Sequence, residues 1–570
     1  MTSHWADDAA QLPLDYLRGL ACADSTVSVD EEYRILHIAS PDKSKVALIS
    51  GGGSGHEPSH AGMVGTNSLT AAVGGNIFAS PNANQVRRAL SLVENEKGTL
   101  VIVKRYTGDV LHFGMAGESA ASNVEFLVVG DDVAVPRSQG ELVGRRGLAG
   151  TTLVYKVAGH AAAQGKSLAD VKKLAQTVAD NVATIGASFA HCHVPGTKPD
   201  SSEKMAMGEF ELGMGIHNEP GLKRYPQQKK KELIDHMVKL LTDTEDKERA
   251  FVPWAKGDEA VVMLNNLGGM SELELVGLVP FVLDAVQNAG IKAVRLFVGT
   301  FMTSLDMPGF SITLLRLADA KDAILAGVDA DSSAPGWKRP TVPRSKPQVT
   351  PKSAGAEQRP ASNLKAGAEF IPAIERACEA VIKAEPEITR YDTVAGDGDC
   401  GLTLKAGAEA ILRDIKSGKV KPDDVVNSIR TVSDTIERDM GGTSGALYAI
   451  FFSAFAKALD SGDASGGQVS AKQWADAAAK ARDTLLGYTK ARPPSRTLVD
   501  PLVAFTDALS DGEGAKKAAG KAKDAAENTK KLAATSGRAA YVDQEQLKKE
   551  NVPDPGAYGL ALIFEGLAGN

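Results

Sequence analysis

Two patterns of apolar residues divide the chain. Over residues 1–333, short runs rich in branched side chains, Val46–Ser50, Leu100–Val103, Val124–Val129 and Ala260–Leu264, alternate with helix-like segments. Apolar runs without polar alternation predict strands covered on both faces, the arrangement of α/β units. Over residues 364–570 the period changes: Ala449, Phe452, Ala456 and Leu459 stand three or four apart, and the Ala-rich stretch Ala471–Leu486 continues helically. About eight close-packed helices and no sheet are predicted there. Residues 334–363 separate the two patterns, and Pro335, Pro340, Pro343, Pro347, Pro351 and Pro360 exclude helix and interior strand from that stretch. It reads as a semi-rigid linker.

Composition narrows the class. Hydrophobic residues make up 43% and charged residues 24%, so disorder and fibrous repeats are excluded. The net charge of -7 gives no global positive field for nucleic acid or an anionic membrane, and small molecules or proteins are the expected partners. The longest charge-free run, Pro58–Val86, is interrupted by His60, Asn67, Asn76, Pro81 and Asn82 and cannot span a bilayer. Cys22, Cys192, Cys378 and Cys400 are scattered without a CxxC pair, and the start Met1–Asp8 lacks the basic and apolar regions of a secretory signal. A cytoplasmic location is expected.

Candidate chemistry gathers in five places. Gly51, Gly52, Gly53 and Gly55 follow the first strand, where backbone N–H groups can approach an oxygen-rich ligand or simply form a tight turn. The spacing fits neither a dinucleotide loop, since Pro58 stands at the third glycine, nor a P-loop, since Gly159 and Gly165 enclose five residues instead of four. Lys104 and Asp109 follow the second strand, where α/β sites collect. His217, in a glycine-flanked segment, can serve as base, metal ligand or nucleophile.

The helical half holds Asp392, Asp397 and Asp399 on a glycine-flexed turn. Three like charges this close suit an oxygen-liganded divalent cation, and Ala408 at the twelfth position from Asp397 rules out an EF-hand. Mg²⁺ shared with phosphates fits better; a solvated acidic turn is the alternative. Met440–Gly445 then opens a helix with small residues, either an anion site or a plain N-cap.

These residues carry a resemblance. SGGGSGHEPSHAGMVG (50–65), IFASP (77–81), YTGD (106–109), ELGMGIHNEPG (211–221), NNLGGMS (265–271), AGDGDCG (395–401) and MGGTSGALY (440–448) resemble signatures of the single-chain ATP-dependent dihydroxyacetone kinases. The resemblance spans nearly everything but the linker. It implies an α/β ketose-binding domain over residues 1–333 and an all-α domain for ATP and Mg²⁺ over residues 364–570.

By that resemblance His217 would bind the substrate carbonyl as a hemiaminal, Asp109 would be the base, and His56 would hydrogen-bond the adduct. Gly53, Ser54, Gly55 and Lys104 would line the ketose pocket. Asp392, Asp397 and Asp399 would hold Mg²⁺. Asp399, Cys400, Gly401, Leu402, Thr443, Ser444, Arg496, Thr497, Asp554, Pro555 and Gly556 would meet the nucleotide. A homodimer is implied, one chain's nucleotide domain covering the other's ketose site. Two positions depart from the pattern: Pro494–Ser495 replaces a common Gly–Asp, and Asn218 stands where glycine is usual. Dihydroxyacetone, glyceraldehyde and larger ketoses remain open as substrates. A related activity, splitting FAD to a cyclic FMN, and a non-enzymatic carbonyl-sensing coregulator are the rival readings.

Overall fold

The computed structural model describes residues 4–120, 123–139, 144–197, 205–317, 320–344, 346–350, 359–362, 364–461 and 467–569. It divides into two bodies, Met1–Thr350 and Pro351–Asn570.

In the first body the strands are β1 (Val27–Asp30), β2 (Ile35–Ile38), β3 (Ala47–Ser54), β4 (Ala71–Ile77), β5 (Thr99–Lys104), β6 (Val124–Val129), β7 (Val182–Ser188), β8 (Glu209–Leu212), β9 (Lys223–Pro226), β10 (Glu259–Asn266), β11 (Lys292–Gly299) and β12 (Gly309–Arg316). They form two six-stranded sheets, ordered β1-β2-β4-β3-β5-β6 and β11-β10-β12-β7-β8-β9. All four apolar runs singled out from the sequence lie in strands, β3, β5, β6 and β10. In the first sheet β3 runs parallel to β4 and β5, and β5 parallel to β6, which is why β3 and β5 are apolar on both faces. In the second, β10 is parallel to β11 but antiparallel to β12.

Helix Gly150–Ala163 touches strands of both sheets. It is buried along nearly its whole length, and its Leu153, Val154 and Val157 share one core with Leu48 and Leu100 of the first sheet and Val261 and Met263 of the second.

The glycine-dense end of β3 is demanded by packing. A Cβ at Gly51 would stand 2.4 Å from the Val73 carbonyl oxygen, and one at Gly53 would stand 2.7 Å from the Phe78–Ala79 backbone. Between Gly52 and Ser54 the β3–β4 register shifts, which turns the following residues off the sheet toward the site.

The Pro-rich stretch begins as part of the first body. Trp337 is buried against Phe297 and Phe301, with ring centroids 4.9 and 6.1 Å away. Thr341 and Leu296 exchange backbone hydrogen bonds, and Gly336 N–H donates to the Gly62 carbonyl. One aromatic anchor outweighs the extended preference of the neighbouring prolines, so the chain leaves the first body only beyond this point. Residues 345, 351–358 and 363 of the expected linker lie outside the described residues.

In the second body the described residues form nine helices and no named strand, one helix more than the periodicity suggested. They are Phe370–Ala395, Cys400–Lys416, Val425–Asp439, Gly442–Asp460, Ala471–Tyr488, Val499–Ser510, Ala515–Asn528, Gln544–Glu550 and Pro555–Ala568. The extra one, Gln544–Glu550, has only 7 residues, too short for a legible period. The helices surround an apolar cavity of about 970 Å³, lined among others by Phe451, Phe455, Trp474 and Phe505. No described helix is long and apolar enough to cross a membrane.

Candidate active site

The loop ends of the first body bring His56, Lys104, Asp109 and His217 into one electrostatic neighbourhood. Lys104 is the last residue of β5, and Asp109 stands in the first turn of helix Thr107–Glu118, which follows it. His56 follows β3. His217 lies between β8 and β9, its ring met edge-on by Tyr106, His56 and Phe78 at centroid distances of 4.6, 4.7 and 5.2 Å. Such a cage fixes the imidazole plane.

Hydrogen bonds fix the protons. His56 Nδ1 lies 2.9 Å from the Thr303 carbonyl, and His217 Nδ1 lies 2.8 Å from Glu219 Oε1. Both partners only accept, so each Nδ1 carries a hydrogen. The two Nε2 atoms are 3.0 Å apart, a contact that needs one further proton between the rings. Glu219 also accepts the His217 backbone N–H through Oε2 at 2.9 Å. Burial alone would raise the Glu219 carboxyl, but His217 and Arg146 hold it down at about 2. A carboxylate thus orients the ring whose Nε2 meets His56.

Charge in this pocket is concentrated by burial. Lys104 is 0% exposed, its Nζ has no hydrogen-bond partner among the described residues, and burial pulls its pKa down to about 8 against Asp109, Glu219, Glu57 and Asp131. An unpaired buried cation is costly, and a ligand oxygen would relieve it. Burial raises Asp109, which Lys104 and the Ser80 hydroxyl, donating at 2.5 Å to Oδ1, partly offset. Burial, with Lys104 and His217 adding to it, holds His56 well below the ordinary histidine range. Gly53 and Gly55 let the backbone approach Phe78, while the Ser54 hydroxyl is spent on the Gly75 carbonyl at 2.9 Å.

In the second body, carboxylate oxygens of Asp392, Asp397 and Asp399 lie within 4.8 Å of one another. Asp392 is buried, and its Oδ2 accepts the backbone N–H groups of Asp399 and Cys400 at 2.9 Å each. Asp397 pairs with Arg538 at 2.6 Å. An all-oxygen, trianionic donor set on a glycine turn suits Mg²⁺.

Two helices begin beside these carboxylates, Cys400–Lys416 and Gly442–Asp460. Cys400 bonds the Ser444 side chain, joining the two starts, and burial followed by Asp392 and Asp554 pushes its thiol up to about 12. Gly401 is fixed by packing, since a Cβ there would meet Thr389 at 2.3 Å, whereas Leu402 and Thr443 are exposed at the same helix starts. Asp554 caps helix Pro555–Ala568 by accepting the Ala557 N–H at 2.8 Å, and burial raises it to about 6. Pro555 occupies the first turn, and a Cβ at Gly556 would stand 3.4 Å from Asp554 Oδ1. Arg496 is nearly fully buried, donates to the Val552 carbonyl at 3.0 Å and keeps Nη1 unpartnered among the described residues. In the loop where Gly–Asp was expected, Asp500 instead ties Ser495 and Thr497 by accepting both backbone N–H groups.

Glu219, Ser80, Phe78 and Arg146 were not singled out from the sequence. Glu219, Ser80 and Phe78 sit inside recognised motifs. Arg146 lies far from its partners Asp132 and Gly213 in the chain and leaves no local signal.

Residues 18–336 match the Dak1 domain model and residues 394–569 the DAK2 domain model. Dihydroxyacetone kinase 2 of Saccharomyces cerevisiae is 43% identical, over 97% of this chain and 96% of that protein. Triokinase/FMN cyclase of Homo sapiens is 36% identical over 97% and 96%. The crystal structure of the dihydroxyacetone kinase from C. freundii in complex with AMP-PNP and Mg²⁺ is 31% identical, covers 100% of both chains and superposes with a TM-score of 0.65. The chain belongs to the dihydroxyacetone kinase family and joins its Dak1 and DAK2 domains in one polypeptide.

Proposed function

We propose that this protein phosphorylates dihydroxyacetone, and glyceraldehyde, with ATP, holding the substrate covalently on His217. The contact between the two histidine rings carries this reading: it puts one nucleophilic nitrogen and one transferable proton 3.0 Å apart. His217 Nε2 attacks the carbonyl carbon, an N–C bond forms as the C=O π bond opens, and the proton between the rings moves to the oxygen. Glu219 takes up the charge left on the ring at Nδ1. Glycerol has no carbonyl and is refused by chemistry instead of size.

Asp109 then accepts the proton of the terminal hydroxyl, whose oxygen attacks the γ-phosphorus as ADP leaves. Asp392, Asp397 and Asp399 would hold Mg²⁺, which when bound neutralises phosphate charge. The small residues opening helix Gly442–Asp460 offer N–H groups to the phosphates. The two half-sites must meet for transfer, in a cytoplasmic homodimer in which each nucleotide domain serves the partner's ketose.

Intact-mass measurement after incubation with dihydroxyacetone tests the covalent step. A gain of one whole ketose, without loss of water, is expected. Loss of water would mean a Schiff base on Lys104, and no gain would remove the hemiaminal. ATP consumption against a panel of ketoses, aldoses and glycerol tests the substrate class.

A further inference from the structure

One buried polar atom beside this site has no role in the steps above. His60, 6% exposed, has an Nε2 with no hydrogen-bond partner among the described residues. Its Nδ1 lies 2.8 Å from the Tyr155 hydroxyl, and the Ser50 hydroxyl donates to that same phenol oxygen at 2.7 Å. With Ser50 donating, the phenol hydrogen goes to His60 Nδ1, and the ring's own hydrogen sits on Nε2. Burial and Lys104 hold His60 well below the ordinary histidine range, so the ring is a neutral donor.

That donor faces the proposed base. A Cβ built on Gly52 would stand 3.0 Å from His60 Nε2, 3.3 Å from Asp109 Oδ2 and 3.6 Å from Asp109 Oδ1. Gly52 therefore keeps open a gap that both groups border. Ser80 already occupies Oδ1, leaving Oδ2 for the gap. A void of about 10 Å³, lined by Gly52, Gly53, Glu57 and His60, adjoins it, with room for about one water.

We infer that His60 is a positioning residue for phosphorylation: its Nε2–H, through one oxygen seated in the Gly52 gap, holds Asp109 Oδ2 ionised and aimed. The chain Ser50–Tyr155–His60 sets the tautomer, much as Glu219 sets that of His217. The inference rests on Asp109 being the proton acceptor. Lys104 of β5, His217, and His112 on the helix of Asp109 also act on that carboxylate, and Tyr155 lies within its electrostatic reach. The test must therefore change His60 without altering their charges.

Two substitutions separate the ring's nitrogens. His60→Asn keeps an acceptor for Tyr155 and loses the Nε2 donor; His60→Gln reaches the Nε2 position and restores a donor. His60→Asn should lower kcat roughly 10- to 100-fold and move the acid limb of the kcat profile to higher pH, because a carboxylate that loses a donor becomes more basic. KM and the His217 adduct should stay as in wild type, and His60→Gln should recover most of both losses. Adduct formation also reports that the pocket is folded. If His60→Asn does not fold, Tyr155→Phe, which frees the tautomer, should shift the acid limb the same way by less. Wild-type kcat and an unmoved acid limb in the folded variant overturn the role of His60. Normal turnover in Asp109→Asn would instead overturn the base, a distinguishable result.

Discussion

His56, Lys104 and Asp109 in the first body are 0, 0 and 3% exposed, whereas Asp397 and Asp399 in the second face solvent. The two half-sites solve different problems. Covalent capture of a small carbonyl compound needs one nitrogen in one tautomer, and the first body provides it with buried charges, an aromatic cage and carboxylate or carbonyl partners on each ring. Such a site is costly to fold, since Lys104 and the Nε2 of His60 have no partner among the described residues. The Asp392–Asp399 turn of the second body commits less: one buried carboxylate, Asp392, organises its backbone, and the exposed pair supplies charge for a cation. Pre-assembly is spent where the protein makes a bond, and economised where a metal supplies the order.

The sharpest way to break this contrast is to remove the nucleophile. His217→Ala should abolish the mass adduct and lower turnover by about 10⁴ or more, while Mg²⁺-ATP binding by calorimetry stays normal. Turnover near wild type would mean that pre-assembly in the first body serves binding alone. Asp109→Asn comes next. It keeps shape and hydrogen bonding but cannot accept a proton, so turnover should fall by roughly 10²–10⁴ with the adduct retained. Loss of the adduct as well would merge two steps that the geometry keeps apart.

The converse test addresses the second body. Asp397→Asn with Asp399→Asn should weaken Mg²⁺-ATP on the order of 100-fold without changing ketose capture. Because both side chains are exposed, the melting temperature should hardly move. A large drop in stability would show that this turn is built as tightly as the ketose pocket.

Local features were legible in advance, and long-range pairings were not. The glycine run at the end of β3, the Asp392–Asp399 turn and the helix start at Gly442 each lie within one short segment, so spacing alone suggests a ligand. The α/β and all-α division was legible too, because buried parallel strands and helical faces leave different periods. What stayed hidden joins distant segments: Tyr155 to His60, Arg146 to Asp132, and Trp337 to Phe297. Trp337 is instructive, since its prolines read as linker while a single indole, through burial, ties that stretch to the first body. His60 reads only as an interruption in a charge-free run and as part of the segment 50–65, and nothing nearby announces Tyr155 as its neighbour.

The smallest effect gives the finest measure of the contrast. Burial brings Lys104 to about 8, below the roughly 10.4 of a lysine in an unfolded chain. Its charge therefore costs stability below pH 8, where both states are protonated. Between about pH 8 and 10.4 the unfolded chain binds more protons than the folded one, so stability rises with pH, by about 3 kcal/mol at most. Function should run the other way. The ammonium is the unpaired donor awaiting a substrate oxygen, so ketose affinity should fall about tenfold per unit above pH 8. Lys104→Met removes both trends, and the difference between wild type and variant cancels the titrating groups that Lys104 does not act on. Chemical denaturation and ketose titration over pH 7–10 should therefore give slopes of opposite sign in that difference. Slopes of the same sign, or none, would mean that Lys104 finds a partner in the resting pocket and that the first body does not store its charge for the substrate.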